Sequence, residues 1–340
     1  MSEPPGVRLG RTDLVVDRLG FGGAPLGNLY TGVSDAEATK TLGAAWAGGI
    51  RLYDTAPHYG QGLSERRIGD ALRGHPDYVL STKVGRLLKP AGYADARHDF
   101  VSPMPFDIAY DYSYAGVLRS FEDSLQRLGL DRIDILLLHD IGHATHGEGH
   151  DALFELAMCG GYRALSELRA TGAVRAIGLG VNETAVCEQA LEHGDWDCFL
   201  VAGRYTLLEQ GALQTLLPAC EARGVSVLIG GPYNSGILAG GRATYNYRRA
   251  PDAVVEKTAR LEAVCGAYGA PLAAAALQFP LAHPAVAAVL PGIDRPERVD
   301  ETLRLLHHPI PSDLWRDLKA ANLLAEGAPV PADLTRRLLP

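Results

Sequence analysis

The chain has 340 residues, 47 % of them apolar, and a formal net charge of −8. That acidic balance argues against a nucleic-acid partner, and the short basic clusters Arg66-Arg67, Arg248-Arg249 and Arg336-Arg337 read as solvated surface. Cys159, Cys187, Cys198, Cys220 and Cys265 are odd in number and show no Cys-x-x-Cys spacing, so they read as reduced thiols. The polar stretch Met1–Arg11 lacks the apolar run of a signal peptide, and no segment approaches the roughly 20 apolar residues that span a bilayer. The expected setting is the cytoplasm, with no membrane partner.

The first apolar strand is expected at Arg18–Phe21, followed by a helix over Ser34–Trp46 that opens on the capping-box pattern Ser34-Asp35-Ala36-Glu37. A second strand, Gly49–Thr55, precedes a helix at Leu63–Leu72. The third, Tyr78–Val84, leads into Arg86–Tyr112, a weakly periodic stretch rich in Pro, Asp and Tyr that reads as a long loop. Tyr114–Leu128 sets Val117, Leu118, Phe121, Leu125 and Leu128 on one helical stripe. Strand four, Ile133–His139, contains Ile135-Leu136-Leu137-Leu138, the continuous apolar run of a strand buried on both faces. A second loop, Ile141–His150, follows it. Then come a helix at Ala152–Arg169, strand Val174–Val181, helix Glu183–Glu192, strand Cys198–Ala202, helix Gln210–Ala222 and strand Val225–Gly230. Two helices, Asp252–Tyr268 and Pro271–Ala282, precede the eighth strand, Val286–Pro291, and helices at Pro296–Leu306 and Ser312–Leu324 end the series.

Eight strands alternating with helices mean either an open doubly wound sheet or a closed barrel. An open dinucleotide-binding sheet calls for Gly-x-Gly-x-x-Gly after a strand. Gly178-Leu179-Gly180 begins one, but Glu183 stands at the third glycine position. The expectation is therefore an α/β fold, a (β/α)8 TIM barrel in one domain over residues 1–340 with its core at about 7–325. Extra helices and long loops would lie on the C-terminal face, and the protein would be a monomer or homodimer.

Polar residues end three of these strands. Asp54 closes strand two, Lys83 lies in strand three, and His139 closes strand four; Tyr59 follows Asp54 in Pro57-His58-Tyr59-Gly60. Taken singly, each has an ordinary structural explanation, as a turn residue, a packed aromatic or a satisfied core histidine. Lys83 is the exception, since an ammonium in an apolar barrel strand costs several kcal/mol unless paired. Together they place an acid, a phenol, an ammonium and an imidazole on one rim, where barrel enzymes work. Hydride transfer to a carbonyl needs a proton donor, and its reverse needs a base. A free phenol titrates near ~10, so a neighbouring ammonium is expected to bring Tyr59 down. Asp54 would hold Lys83, and a neutral His139 would orient the substrate oxygen. His146 and His150 are four apart around Glu148, but in a glycine-rich stretch expected to be non-helical, so no metal site is expected.

These residues, with Leu19-Gly20-Phe21-Gly22-Gly23, Ser64-Glu65-Arg66-Arg67-Ile68-Gly69 and Arg127–Asp134, resemble the catalytic tetrad and flanking motifs of the aldo-keto reductases over residues 7 to 325. The resemblance implies a nicotinamide cofactor touched by Gly23, Asp54, Asn182, Arg204, Gly231, Gly292, Asp294, Arg298 and Glu301. A tyrosine that usually stacks on the nicotinamide is replaced by Gly230-Gly231-Pro232, with Tyr233 or Tyr205 as candidate substitutes. The Lys-Ser that clamps a 2′-phosphate in the family reads Gly292-Ile293 before Asp294. That points to NAD, with Arg295 and Arg298 leaving NADP open. Leu138-His139-Asp140-Ile141-Gly142 and Ala202–Gln210 resemble the sugar-oxidising branch: D-threo-aldose, L-fucose and L-galactose dehydrogenases, with pyridoxal 4-dehydrogenases close by. The implied reaction oxidises an aldose hemiacetal of the L-fucose, L-galactose or D-arabinose type to its lactone. Tyr59, His139 and His146 would meet a small sugar or aldehyde. The alternatives are pyridoxal 4-dehydrogenase, a general aldehyde or ketone reductase, and a non-enzymatic cofactor-binding barrel.

Overall fold

Eight strands run parallel in chain order: β1 (Gly20–Gly22), β2 (Leu52–Asp54), β3 (Val79–Val84), β4 (Ile135–His139), β5 (Ala176–Val181), β6 (Cys198–Ala202), β7 (Ser226–Gly230) and β8 (Val286–Leu290). Each pairs with the next. Parallel bridges Leu19 to Val289 and Gly22 to Gly292 join the last strand to the first and close a (β/α)8 barrel. The computed structural model describes residues 6–241 and 244–331.

Side chains alternate along a strand, so one set faces the barrel axis and the other the helices. Leu52, Ile135, Leu137, Ala176, Cys198, Leu200, Leu228 and Leu290 make a small inner cluster. The hairpin Val7–Arg8 with Val15–Val16 adds Leu9 and Leu14 to it and floors the barrel. Tyr53, Leu80, Leu136, Leu138, Ile177 and Leu179 join the larger cluster between strands and helices. The axis has little room: a Cβ on Gly178 would lie 1.8 Å from the Cys198 carbonyl oxygen.

The helices start where the sequence marks them. In α1 (Asp35–Ala47) the Ser34 hydroxyl accepts the Glu37 N–H at 3.2 Å, and α2 (Leu63–Leu72) follows β2. The next, α3 (Tyr114–Leu128), has the expected bounds and is capped by Ser113. The barrel adds Asp252–Ala267 and Leu272–Gln278 between β7 and β8. Among the described residues no single helix is long and apolar enough to cross a membrane.

Several expectations need correction. The long loop Arg86–Tyr112 is built of two antiparallel hairpins, Arg86–Pro90 with Phe106–Tyr110 and Ala96–Arg97 with Phe100–Val101. Arg86–Pro90 runs from a buried start to an exposed end, and Phe106–Tyr110 is half-buried over most of its length, so neither periodicity shows. The stretch after β4 forms a helical turn at His143–His146 and a 3-10 turn at Gly147–Gly149, where a non-helical loop was expected. The helix expected at Ala152–Arg169 is interrupted by a π-turn over Ala157–Gly161, where Gly160 and Gly161 let the chain pass close to the backbone of Tyr112–Tyr114. The helix expected at Gln210–Ala222 shortens to Leu216–Arg223 after a 3-10 turn. Arg67 is no surface cation: its guanidinium donates to the Leu26 and Val33 carbonyls at 2.7 Å each, and to Asp35. Arg336-Arg337 lies outside the described residues.

Candidate active site

The inward set that fills the barrel ends at its carboxyl rim in polar and charged groups. Asp54, Lys83 and His139 continue the rows of Leu52, Ser81 and Leu137, so the strand period alone aims them at the axis. Lys83 is 1 % and Asp54 4 % exposed. Lys83 Nζ donates to Asp54 Oδ2 at 2.7 Å and to the Thr55 carbonyl at 2.9 Å. Ser81 Oγ donates to the other carboxylate oxygen at 2.8 Å. Gly180 leaves the space for the lysine stem, since a Cβ there would come within 2.9 Å of Lys83 Cε.

Tyr59 arrives from the turn after β2, where its N–H donates to Ala56 O at 3.1 Å. The next residue must be glycine: Gly60 has φ +64°, and a Cβ would meet Gly27 O at 2.4 Å. The Tyr59 ring lies 4.7 Å from Lys83 Nζ, centroid to atom. It stands perpendicular to the His139 ring, with centroids 6.2 Å apart. All four residues expected at the rim therefore meet.

Burial governs their titration. It pushes the Asp54 carboxyl up against the pull of Lys83. It takes His139 well below the ordinary histidine value, helped by the cations Arg86 and Lys83, so the ring is neutral. Tyr59 departs from expectation: its phenol lies well above the ordinary value, raised by burial and then by Asp54 and Asp140, with Arg86 opposing. The Lys83 ammonium is already held by Asp54 and Thr55, which limits what it does for the phenol.

The expected cofactor residues follow the rim. Asn182, after β5, donates from Nδ2 to Asp140 Oδ1 at 3.1 Å, while its Oδ1 is buried without a partner. Arg204 Nε donates to the Asn182 carbonyl at 2.7 Å. The Gly23 N–H donates to Asp54 O at 2.8 Å. Gly231 has φ +55° with open space around it, and Gly292 faces Pro25. Asp294 takes Arg295 at 3.2 Å and Arg298 at 4.0 Å, and Arg298 also lies 3.6 Å from Glu301. A buried amide oxygen with no partner suits the N–H donors of a nicotinamide carboxamide. His146 is committed elsewhere, its Nε2 3.1 Å from the Tyr112 hydroxyl, which donates to His139 O. Tyr205 is fully buried against Phe279 and His283, so it is no ring for a nicotinamide.

Three rim residues escaped sequence reasoning. Arg86 and Asp140 form a second buried ion pair beside the first. Tyr247, at the turn of the hairpin Thr244–Tyr245 with Arg248–Arg249, is 48 % exposed and lies within electrostatic reach of Tyr59 and Asp140. Arg86 three residues after Lys83, and Asp140 beside His139, carried the same signal as Lys83: charge at the end of an apolar strand. Nothing in the sequence brings Tyr247 to the site. Among the described residues no cluster of three metal-ligating side chains occurs.

A closed parallel barrel with these groups at its carboxyl rim is the framework of an α/β-barrel oxidoreductase. The chain belongs to the Aldo/keto reductase family, whose sequence pattern matches residues 18–323. It is 45 % identical to a pyridoxal 4-dehydrogenase of Microbacterium luteolum, covering 93 % of this chain and 97 % of that protein. It is 40 % identical to a D-threo-aldose 1-dehydrogenase of a Pseudomonas species, covering 92 % and 95 %. A holo-form aldo-keto reductase structure from Bacillus halodurans superposes with a TM-score of 0.73 at 26 % identity, covering 94 % and 96 %. Aldo-keto reductases use nicotinamide nucleotide cofactors.

The Lys83–Asp54 pair makes a prediction about stability. Lys83→Met strands a buried carboxylate and is expected to cost about 3–5 kcal/mol by denaturant unfolding. The double change Lys83→Met with Asp54→Leu removes both charges and should recover most of that loss while remaining inactive. A double variant no more stable than the single one contradicts the pairing.

Proposed function

We propose that the protein oxidises the hemiacetal carbon of a small cyclised aldehyde to a lactone, an aldose at C1 being the first candidate, with NAD+ preferred over NADP+. The observation that carries this reading is the Tyr59 phenol set between the Lys83 ammonium and a neutral His139 at the barrel rim. The two relatives above are both named as dehydrogenases. A second reading, pyridoxal oxidation, is favoured by the higher identity to the pyridoxal enzyme. Pyridoxal also closes into a cyclic hemiacetal, so both substrates present the same C–H and O–H to the site.

A bound nicotinamide dinucleotide would supply the hydride acceptor. The chain's own part is the proton and the orientation. His139, neutral, hydrogen-bonds the anomeric oxygen and fixes it against Tyr59. The ionised Tyr59 oxygen takes the hydroxyl proton as the carbon becomes a carbonyl. Lys83 stabilises the phenolate, and Asp54 holds Lys83 at its station. Asn182 offers its free amide oxygen to the cofactor's carboxamide.

Because Tyr59 lies above the ordinary phenol value in the free site, it holds its proton at neutral pH. Reduction uses that protonated form and oxidation the ionised one. Oxidation of L-fucose, L-galactose or pyridoxal with NAD+ is therefore expected to accelerate from about pH 6 to about pH 9, while aldehyde reduction stays level or falls. Absorbance at the reduced nicotinamide band reads both. An oxidation rate that declines over this range in folded protein, or no turnover with any cyclic hemiacetal, counts against the proposal.

Cofactor preference turns on Asp294. Its carboxylate occupies Arg295 and Arg298, the cations that a 2′-phosphate would need. Gly292 and Ile293 are poor places to engineer: a Cβ at Gly292 would press on Pro25 at 2.9 Å, and Ile293 is fully buried. Asp294→Ser frees Arg295 and leaves Arg298 only Glu301 as an acidic partner, and should raise NADP+ use relative to NAD+ by about tenfold or more. A parent enzyme preferring NADP+, or a ratio unmoved by Asp294→Ser, refutes the assignment.

A further inference from the structure

The proton transfer described above leaves a second buried ion pair without a role. Arg86 opens the hairpin after β3 and is 5 % exposed, and Asp140 follows His139 and is 7 % exposed. Arg86 Nη2 donates to Asp140 Oδ2, and Asn182 Nδ2 donates to Asp140 Oδ1 at 3.1 Å. The same carboxylate lies 3.5 Å from His139 Nε2. Asp140 thus ties together the ends of β3, β4 and β5.

Its backbone is bent to do so. Asp140 has φ +47°, with its N–H held by Gly180 O at 2.9 Å. A non-glycine residue in that region stores about 1 kcal/mol or more of strain, although Asp tolerates it better than most. One Nδ2 hydrogen of Asn182 is committed to Asp140, which fixes the way the amide faces and leaves its oxygen buried without a partner. A nicotinamide carboxamide carries the N–H donors to meet it.

Charge is the other half. Asp140 alone would be an unpaired carboxylate beside His139, drawing a proton onto that ring and opposing ionisation of Tyr59. Arg86 cancels it. Tyr59 faces Asp54 and Lys83 from the strands, Arg86 and Asp140 from the loops after β3 and β4, and Tyr247 from its hairpin. His139 faces Lys83, Arg86 and, from the turn that carries Tyr59, His58. Tyr112 and His146 sit on the carbonyl side of His139.

We propose that Arg86 and Asp140 are positioning residues: Asp140 turns the Asn182 amide so that its oxygen meets the nicotinamide carboxamide, and Arg86 cancels the charge this carboxylate would impose on His139 and Tyr59. The inference rests on the functional reading given above.

Four variants test it: Arg86→Met, Arg86→Lys, Asp140→Asn, and Arg86→Met with Asp140→Leu. The readouts are the pH–rate profile of oxidation and the calorimetric Kd for NAD+ and NADH. Arg86→Met should move the midpoint of the pH rise alkaline by about one unit or more, and Arg86→Lys should return it toward the parent. Asp140→Asn leaves the cation alone, so its midpoint should move acid. Removing the acceptor altogether, in the double variant, should weaken dinucleotide binding by about tenfold, the loss of roughly one oriented hydrogen bond. The double variant carries no stranded charge, so it should fold; it should keep the parental midpoint and show the weak binding. Midpoints that stay fixed while kcat falls equally in both Arg86 variants overturn the proposal. So does parental dinucleotide affinity in the double variant. A parent protein that binds no nicotinamide dinucleotide overturns the functional reading and this one with it.

Discussion

A lysine ammonium and an aspartate carboxylate, 1 % and 4 % exposed, share a 2.7 Å contact at the top of the barrel. Neither charge is tolerable there alone. Desolvation costs several kcal/mol per ion, and the partner's field with added hydrogen bonds must repay it. The surroundings are arranged to do so: Ser81 adds a hydrogen bond to the carboxylate, the Thr55 carbonyl accepts one from the ammonium, and Gly180 gives up its side chain to make room. The pair fixes where β2 and β3 end relative to each other. Through the turn after β2 it also fixes where Tyr59 stands. A buried ion pair is a poor source of net stability, so its presence here argues for use.

The fold delivers these groups by simple alternation. Inward residues are aliphatic low in the barrel and polar at the rim, in the same rows. The floor is closed by the N-terminal hairpin, which leaves the carboxyl end as the open face. The π-turn, the paired hairpins after β3 and the hairpin carrying Tyr247 all depart from the repeat and crowd that end. Irregular structure collects where chemistry needs shapes that the repeat cannot supply.

Much of this is legible in the sequence. The strands show as continuous apolar runs because they are buried on both faces, and α1 and α3 show through their caps and stripes. Asp54, Lys83 and His139 stand out because charge at the end of an apolar run needs an explanation. The hairpins after β3 do not show, since Arg86–Pro90 passes from buried to exposed along its length and Phe106–Tyr110 is half-buried over most of its own, so neither alternates. Tyr247 is invisible because hairpin placement over the mouth is tertiary. The titration of Tyr59 cannot be read from its neighbours in sequence either. It depends on how much of the Lys83 charge Asp54 absorbs and on Asp140, a residue that only the fold brings near. The fold brings Asp54, Tyr59, Lys83 and His139 together, whereas Tyr205, one of the two candidate substitutes for a stacking tyrosine, is taken by the core.

One substitution bears most directly on the whole account. Tyr59→Phe keeps the ring, its packing against His139 and its place over Lys83, and removes only the hydroxyl. Single-turnover oxidation of a cyclic hemiacetal, at saturating NAD+, isolates the chemical step from binding and release. The rate is expected to fall by roughly 10²- to 10⁴-fold while the dinucleotide Kd and the melting temperature stay at their parental values. A Tyr59→Phe enzyme that turns over within about threefold of the parent would show that the proton goes elsewhere, and that the rim pairs serve structure alone.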